Sequence, residues 1–168
     1  MIIRLAEREL KTKYGTFKEI LYYDGQKESI AIAMGDIDGG EGVLCRVHSH
    51  CVGAHVFNSV ECDCREQMAA AQAAIEQEGR GIVIWLDQEA KGNGHLALIQ
   101  STRFKRVGDP QAAAYKKAGF RADARDYRAA AQILTDLGVR SIILLANDDR
   151  KADELRHDGV DVGGIRSL

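Results

Sequence analysis

The sequence predicts a mixed fold of the α+β class, with antiparallel strands in its N-terminal part and alternating strands and helices in its C-terminal part. Short β-prone runs separated by turn signals fill the first third of the chain, and helical periodicity begins only after Cys64. Two apolar runs in the second half, Gly81–Leu86 and Ser141–Ala146, are typical of strands covered on both faces. This alternation favours a sheet with helices packed against it.

The N-terminal strands are predicted from three β-prone runs. Gly15–Tyr23 and Ser29–Met34 are separated by Asp24-Gly25, a strong signal for a hairpin turn. Val43–His48 is the third run, and it leads directly into a group of cysteines. We expect the strands of this part of the chain to form antiparallel pairs.

Two helices are predicted in the middle of the chain. Arg65–Glu78 carries apolar residues at helical spacing, and Gly79 is a suitable stop. Asp109-Pro110 is typical of an N-cap followed by a proline at the first helical position.

Two further helices and a strand are predicted towards the C-terminus. Either Asp123 or Asp126 is expected to cap a helix that runs to Leu137. A second helix is expected up to Asp158, followed by a short strand at Val160–Val162. Both helices flank the apolar run described above, as in strand–helix–strand units.

The bulk properties bound the class of protein. We predict a single domain over residues 1–168, with 45% hydrophobic and 29% charged residues, as in ordinary globular enzymes. The net charge of −2 gives no general attraction to nucleic acid or to a membrane, so an anionic substrate would need local positive groups. The sequence shows neither a long apolar stretch nor a leader pattern, which favours a cytoplasmic protein.

Three of the four cysteines have a spacing that suits a metal ion. Cys51, Cys62 and Cys64 form a C-x10-C-x-C set, and clustered cysteines in a cytoplasmic protein indicate a metal more often than a disulfide. Three thiolates suit a zinc ion with an open fourth position that holds water. A closed structural site is the alternative. The histidines that could close it are His48, His50 and His55. Cys45 lies in an apolar run and is predicted to be a core residue.

The segment Arg46–Cys64 resembles the zinc segment of GTP cyclohydrolase II, the enzyme that catalyses the first step of riboflavin biosynthesis. Four further segments match that family in order: Glu78–Ile82, Gln88-Glu89 with the glycine-containing loop after it, Gly119–Asp126, and Leu144–Lys151. The resemblance covers nearly the whole chain and implies a GTP cyclohydrolase II-like fold.

The resemblance also implies an activity. In that family zinc activates a water that opens the five-membered ring of guanine at C8 and releases this carbon as formate. Pyrophosphate also leaves, with Mg²⁺ assisting at the phosphates, and the typical product is 2,5-diamino-6-ribosylamino-4-pyrimidinone 5′-phosphate. The implied partners are a nucleotide substrate and a second copy of the chain in a homodimer, with neither nucleic acid nor membrane.

Residue roles follow from the same resemblance. Cys51, Cys62 and Cys64 would hold zinc, Asp123 would accept a proton, and Arg125 would attack or engage the α-phosphate. Because a guanidinium stays protonated in proteins, clamping the phosphate is the physically safer role for Arg125. The implied substrate contacts are Arg46, Val47, His48, Ser49, His50, Gln67, Glu89, Ala90, Lys91, Gln111, Ala146 and Lys151.

Structural interpretations remain open for several of these residues. An isolated Asp-x-Arg pair is more often a helix cap beside a solvated charge, and Lys151 taken alone is more often an exposed charge. Arg46 is expected to face phosphate. His48 could orient a zinc ligand or could be a core histidine. The segment Gln88–His95 resembles a phosphate-cradling glycine loop, although two glycines make a weak signal.

The chain departs from the family at several expected site positions. Glycine and arginine are usual where this chain has Ala90 and Lys91, and the change to lysine replaces a bidentate fork with a point charge. The tyrosine expected near the zinc-bound water is Thr102, which shortens its reach. The other departures are His50, Leu98, Ala124 and Ala146. A relative that opens another nucleotide or heterocycle, or that stops at a formylated intermediate, is therefore the alternative function, and a non-catalytic nucleotide- or zinc-binding module is a third.

Overall fold

The chain folds around one mixed β-sheet of seven strands. The computed structural model describes all residues from Met1 to Leu168. The strands are β1 (Ile3–Thr12), β2 (Gly15–Tyr23), β3 (Glu28–Met34), β4 (Val43–Ser49), β5 (Gly81–Leu86), β6 (Ile142–Leu145) and β7 (Val162–Arg166). The helices are α1 (Val52–His55), α2 (Cys64–Glu78), α3 (His95–Arg106), α4 (Gln111–Lys117), α5 (Arg128–Asp136) and α6 (Arg150–His157). The order of strands across the sheet is β1-β2-β3-β5-β4-β6-β7.

The sheet has an antiparallel half and a parallel half. Strands β1, β2, β3 and β5 pair antiparallel in succession, whereas β5, β4, β6 and β7 pair parallel. The chain passes from β4 through α2 to β5 on one side of β4, and then through α3, α4 and α5 to β6 on the other side. The carboxyl ends of β4, β5 and β6 therefore meet at one edge, where the connections diverge.

Helices cover both faces of the parallel half. On one face, α5 and α6 bury Tyr127, Ile133 and Leu155 in the larger core, which has 21 buried residues. On the other face, α2 is held through Ala71 and Ile75 in a second core of only 6 buried residues. No helix combines the length and the hydropathy that a bilayer crossing requires.

Most of the predicted elements are confirmed. The structure has strands at Gly15–Tyr23 and Gly81–Leu86, and the helix predicted at Arg65–Glu78 begins one residue earlier. Gly79 follows that helix in the left-handed conformation (φ 77°), as its role as a stop requires. Cys45 is fully buried in the larger core. The expected α+β class is confirmed, although β4 pairs only with parallel neighbours.

The helix starts differ from the predictions in detail. Helix α4 begins at Gln111 with Pro110 as its N-cap, because the carboxylate of Asp109 pairs with Lys117 instead of the helix backbone. Helix α5 has Tyr127 as its N-cap. Asp126 accepts a hydrogen bond from the backbone N–H of Arg128 in the first turn of α5.

Three elements have weak sequence signals. Strand β1 is exposed along almost all of its length, so it lacks the alternation of apolar residues that marks a half-buried strand. Helix α3 buries only Ala97 and Ser101, and it begins at the end of a segment that the sequence analysis assigned to a loop. The last strand lies at Val162–Arg166 instead of Val160–Val162, because Val160 still belongs to the turn after α6.

Candidate functional site

The candidate site lies where the parallel strands end. Crevices outside the carboxyl ends of parallel strands bind ligands at the point where the chain connections diverge. In this protein that point is formed by the ends of β4, β5 and β6, at Ser49, Leu86 and Leu145. The cysteines follow β4, the loop Gln88–Gly94 follows β5, and Lys151 follows β6.

Three thiols converge after β4. The sulfur atoms of Cys51, Cys62 and Cys64 all lie within 4.8 Å of one another, and the Sγ atoms of Cys51 and Cys62 are 3.5 Å apart. Cys51 is the N-cap of α1, and Cys64 is the first residue of α2. The site therefore joins two helix starts that are 13 residues apart in the chain (64 − 51).

The donor set fits a zinc ion with an open position. Zinc is among the metals that soft thiolates bind well, and no imidazole nitrogen belongs to this group. Burial raises the pKa of the Cys51 and Cys64 thiols, so both are protonated in the metal-free protein at neutral pH. Loading with metal would release these protons.

An arginine outside the predicted set fixes the cysteine segment. Arg65, the second residue of α2, donates hydrogen bonds to the carbonyl oxygens of Ala54 (2.9 Å) and His55 (2.7 Å) at the end of α1. These bonds satisfy helix carbonyls that have no partner within the helix. They also hold α1 beside α2. Cys51, at the start of α1, is thereby kept close to Cys64, at the start of α2.

The nearby histidines are engaged with one another or with carboxylates. The guanidinium of Arg46 donates to Nδ1 of His48 over 3.4 Å. Because Nδ1 is then the acceptor, the proton of the neutral imidazole ring is on Nε2. That Nε2 is 3.0 Å from Nε2 of His55. Burial, with the positive charges of Arg46 and Lys151, lowers the pKa of His48 to about 3, so the ring is neutral. Nδ1 of His50 lies 3.5 Å from Oδ1 of Asp87 and 3.8 Å from Oε2 of Glu89.

The buried side chain of Arg46 connects β4 to β6 and to α2. Its guanidinium donates to the carbonyl oxygen of Leu145 (3.0 Å) and to Oε1 of Gln67 (2.6 Å), and Gln67 in turn donates to Asp63 (2.9 Å). The side chain was expected to face phosphate, but these donors point to protein acceptors because a buried guanidinium needs partners. A phosphate contact by Arg46 would have to replace these bonds, and it stays a prediction.

Lys151 is buried beside Arg46. Its Nζ donates to the carbonyl oxygen of Val47 (2.8 Å), and only 8% of the residue is exposed. Burial and the positive charges of Arg46 and Arg125 lower the pKa of Lys151 to about 7. The interpretation as a plain exposed charge is therefore wrong for this residue, whereas its contact with a nucleotide stays a prediction.

The loop Gln88–Gly94 is compact and closed on itself. The N–H groups of Gly92 and Gly94 donate to the carbonyl oxygen of Glu89, so they are not free to cradle a phosphate. Ala90 (φ 55°) and Lys91 (φ 53°) have left-handed backbone conformations, which cost little for glycine but more for residues with a Cβ. A glycine at the position of Ala90, which the family resemblance implies, would adopt this conformation without strain.

The loop holds the segment that contains Asp123 and Arg125. The carbonyl oxygen of Lys91 accepts from the N–H of Ala124 (2.7 Å), and Asn93 donates to the carbonyl oxygen of Arg121 (2.9 Å). Oε1 of Gln88 accepts from the N–H of Asp126 (2.9 Å). These hydrogen bonds join the loop Gln88–Gly94 to the segment Arg121–Asp126, and the two segments together form one side of the site.

Asp123 is held between two arginines. Its Oδ2 lies 2.6 Å from Arg125 Nη2 and 2.8 Å from Arg150 Nη1, and its side chain is only 5% exposed. Burial opposes ionisation, but the hydrogen bonds from Arg125 and the charge of Arg150 lower the pKa of Asp123 overall. The carboxylate is therefore ionised, and its proton affinity is reduced as long as both arginines stay in place.

The structure brings most of the predicted residues to this edge. Val47 and Ser49 lie on β4, Ala146 follows β6 and is buried, and Gln111 begins α4. Thr102 donates its hydroxyl to the carbonyl oxygen of Leu98 within α3 (2.8 Å). The predicted roles of these residues in binding or catalysis stay predictions.

Two partners in the site were missed by sequence reasoning. Arg150 lies one residue before the predicted Lys151 and pairs with Asp123, and a basic residue next to a predicted phosphate contact was an available signal. His95 pairs through Nδ1 with the buried carboxylate of Glu89. No local pattern marks His95, because the contact depends on how α3 leaves the loop.

Comparison with known proteins decides the family. The family model described as GTP cyclohydrolase II matches residues 3–166. The chain belongs to the GTP cyclohydrolase II family. Membership supports a hydrolytic, GTP cyclohydrolase-type role for this domain, and it confirms the resemblance of the sequence motifs.

The curated relatives are longer than this chain. The riboflavin biosynthesis protein RibBA of Bacillus cereus (strain ATCC 14579) is 45% identical over 153 residues, which are 90% of this chain and 38% of the relative. RibBA of Bacillus mycoides (strain KBAB4) is 44% identical with the same coverage. The chain thus spans less than two fifths of the length of these relatives and matches one part of them.

A solved structure supports the fold alone. The two-domain 3,4-dihydroxy-2-butanone 4-phosphate synthase RibBX from A. baumannii is 21% identical, with a TM-score of 0.54. The match covers 99% of this chain and 40% of that chain. At this identity the likeness concerns the architecture of the sheet and helices.

We expect Gly92→Ala to destabilise the loop much more than Gly94→Ala. Both glycines have positive φ (82° and 93°), so either alanine costs about 1 kcal/mol in backbone strain. A Cβ at Gly92 would also lie 2.5 Å from the carbonyl oxygen of Ala124, whereas a Cβ at Gly94 meets nothing within 4 Å. Urea unfolding should therefore show an additional loss of about 1–3 kcal/mol for Gly92→Ala. Equal losses would contradict the close packing of the loop against the segment Arg121–Asp126.

We expect Lys151 to make the stability of the protein depend on pH. Because its folded-state pKa of about 7 lies below the ordinary 10.5, the unfolded chain binds more protons between these values, and stability rises with pH across this window. Relative to Lys151→Met, the wild-type protein should gain roughly 3 kcal/mol in free energy of unfolding between about pH 6 and pH 9.5. Urea titrations at the two pH values measure this difference.

Lys116→Met is the matched control, because it removes the same charge from an exposed position on α4. Its stability relative to wild type should vary little over the same pH range. A pH dependence of Lys151→Met that equals that of Lys116→Met would show that Lys151 is solvated and carries its charge freely.

Proposed function

We propose that this chain is a zinc-dependent cyclohydrolase that opens the purine ring of GTP, a hydrolase acting on a cyclic amidine C–N bond. The product would be 2,5-diamino-6-ribosylamino-4-pyrimidinone 5′-phosphate, with release of formate and pyrophosphate. The convergence of three thiols within 4.8 Å at the carboxyl ends of the strands carries this proposal, together with family membership over residues 3–166.

The cysteines would hold the metal. Bound zinc would supply a water whose pKa is lowered enough for it to act as a nucleophile near neutral pH. Cys51, Cys62 and Cys64 provide three ligands, and the pairing of His48 with His55 keeps these imidazoles engaged with each other. Arg65 and the Arg46–Gln67 contact fix the two ends of the cysteine segment, so the ligands are pre-arranged.

The positive side chains would hold the substrate phosphates. Arg125 and Arg150 flank Asp123, and Lys151 lies nearby with a lowered pKa. A phosphate entering this region would meet local positive charge in a protein whose net charge is −2. Arg125 would bind the α-phosphate with its N–H fork, and Mg²⁺ is expected to accompany the phosphates.

Asp123 is the proposed proton acceptor. Its carboxylate is ionised, as a base requires, but its two arginine partners lower its proton affinity. Binding of phosphate by Arg125 or Arg150 would draw these guanidinium groups away from Asp123. The carboxylate would then be a stronger base when substrate is bound than in the free protein.

We also make proposals about the oligomeric state, the cellular location and the partners of the protein. We propose a cytoplasmic enzyme that acts as a homodimer on a free nucleotide, without nucleic acid or membrane as a partner. The support is the family's usual state and the small net charge.

A second candidate function is a related reaction on another nucleotide or heterocycle, or one that stops with the formyl group retained. The observation that favours it is the position of two imidazoles beside the carboxylates of Asp87 and Glu89. His50, where the family resemblance implies glutamate, lies 3.5 Å from Asp87 and 3.8 Å from Glu89, and His95 binds the other carboxylate oxygen of Glu89. These contacts change the polar groups that a substrate would meet beside the loop.

The deciding experiment incubates zinc-loaded protein with GTP and Mg²⁺ and follows formate, pyrophosphate and the ultraviolet change of ring opening. All three signals are expected. Ring opening without formate, or turnover only of a different nucleotide, would favour the second candidate. Nucleotide binding without any turnover would identify a non-catalytic binding module and overturn both.

We expect Cys62→Ala to lose both bound zinc and turnover. Two thiolates make a weak zinc site, because a structural or catalytic ion needs at least three protein ligands. Elemental analysis of the purified variant should fall from about one zinc per chain to near zero. Cys45→Ala is the matched control, because Cys45 is buried in the core and outside the metal group. Full zinc content in Cys62→Ala would refute the assignment of the ligands.

A further inference from the structure

The guanidinium of Arg125 has one edge in use and another edge free. Asp123 accepts hydrogen bonds from Nε of Arg125 (3.0 and 3.1 Å) and from Nη2 (2.6 Å), so the carboxylate covers one edge. Nη1 has no acceptor in the protein, and it is not one of the buried polar atoms that lack a partner. Its two N–H groups therefore face solvent. A guanidinium with free donors on one edge is suited to bind phosphate oxygens.

An aromatic ring supports the face of the same guanidinium. Cζ of Arg125 lies 5.9 Å from the centroid of the Tyr127 ring, within the range of about 6 Å at which a guanidinium is attracted to an aromatic face. Tyr127 is 2% exposed and packs in the larger core at the N-cap of α5, so the surrounding residues hold its ring in place. Asp123 holds one edge of the guanidinium, and the ring limits the tilt of its plane about that edge.

The hydroxyl of Tyr127 does not contribute to this contact. Its oxygen is buried and has no hydrogen-bond partner. A buried hydroxyl without a partner costs free energy, so it does not explain why a tyrosine lies here. The contact with Arg125 depends on the aromatic face alone, which a phenylalanine would also provide.

The free edge of Arg125 can be reached from solvent. Arg125, Tyr127 and Asp123 line one open cavity of about 360 Å³. Only 17% of the Arg125 side chain is exposed. Because Asp123 covers one edge and Tyr127 supports the face, an anion that binds this guanidinium would meet the donors of Nη1.

We propose that Tyr127 is a positioning residue whose ring keeps the free edge of Arg125 directed at a substrate phosphate. This inference rests on the proposed function, in which Arg125 binds the α-phosphate of a nucleotide. The role belongs to the aromatic face, so phenylalanine should replace tyrosine and an aliphatic side chain should not. The effect should reach the substrate only through Arg125 and only through the phosphate.

The test measures the affinity of the zinc-loaded protein for GMP and for guanosine by calorimetry. GMP carries the α-phosphate, whereas guanosine has the same base and sugar without it. We expect Tyr127→Leu to weaken GMP binding about tenfold, the size of a partly desolvated cation–π contact. Guanosine binding and zinc content should stay at wild-type values. Tyr127→Phe should bind GMP as the wild type does.

A double-mutant cycle separates positioning from a general structural effect. Arg125→Met removes the guanidinium, so Tyr127→Leu should cause no further loss of GMP affinity in that background, within about twofold. A loss that does not depend on Arg125 would multiply in the double variant instead.

Tyr22→Leu is the matched control. Tyr22 is fully buried in the same core, and its ring lies 6.0 Å from Cζ of Arg4. This variant also loses a buried ring beside an arginine, but it should leave the affinities for GMP and guanosine unchanged. Tyr127→Met replaces Tyr127→Leu if the latter does not fold, because methionine fills irregular spaces in a core.

The outcomes separate this inference from the function on which it rests. An equal loss on GMP and guanosine, an undiminished loss in the Arg125→Met background, or a tenfold loss in Tyr127→Phe overturns the role of the ring alone. The expected binding pattern without any turnover of GTP overturns the proposed reaction alone. A wild type that binds no GMP and opens no GTP overturns both.

Discussion

The buried guanidinium of Arg46 joins the elements on which the site is built. It lies on β4, donates to the end of β6 and binds Gln67 on α2, so one side chain connects two strands and a helix. A buried charge is costly unless its donors are satisfied, and breaking any of these contacts would leave it unpaired. The position of α2, and therefore that of Cys64, depends on this arrangement. The small core under α2 makes the polar connection more important, because few apolar residues hold the helix there.

The site divides into a soft-ligand part and a charged part. Cys51 caps α1, Cys64 begins α2, and Cys62 lies two residues before α2. Arg125 and Arg150 pair with Asp123, and the neighbouring Lys151 is buried against the carbonyl oxygen of Val47. The proposed nucleotide substrate would suit such a division, because its base and its phosphates require different chemistry. The protein reaches this local separation of charge although its net charge is nearly zero.

The departures from the family have structural consequences of different size. Ala90 and Lys91 adopt left-handed conformations that the loop requires, so the chain keeps the loop shape at a conformational cost of about 1 kcal/mol for each residue. His50 places an imidazole between the carboxylates of Asp87 and Glu89, where the resemblance implies an acidic residue. Thr102 directs its hydroxyl to a carbonyl within its own helix, so it offers no free donor to the site.

Sequence patterns were enough to predict the class of fold, the family, most strands and helices, and the three cysteines, because these depend on periodicity, turn residues and spacing along the chain. Gly81–Leu86 and the cysteine set carry their signal locally. The packed structure was needed to establish that Arg46 faces protein acceptors, that Lys151 is buried, and that Arg150 and His95 pair with Asp123 and Glu89. These contacts join residues from different strands, helices and loops. Burial and the nearest charges, which set the protonation and the direction of each side chain, arise only when those elements pack together.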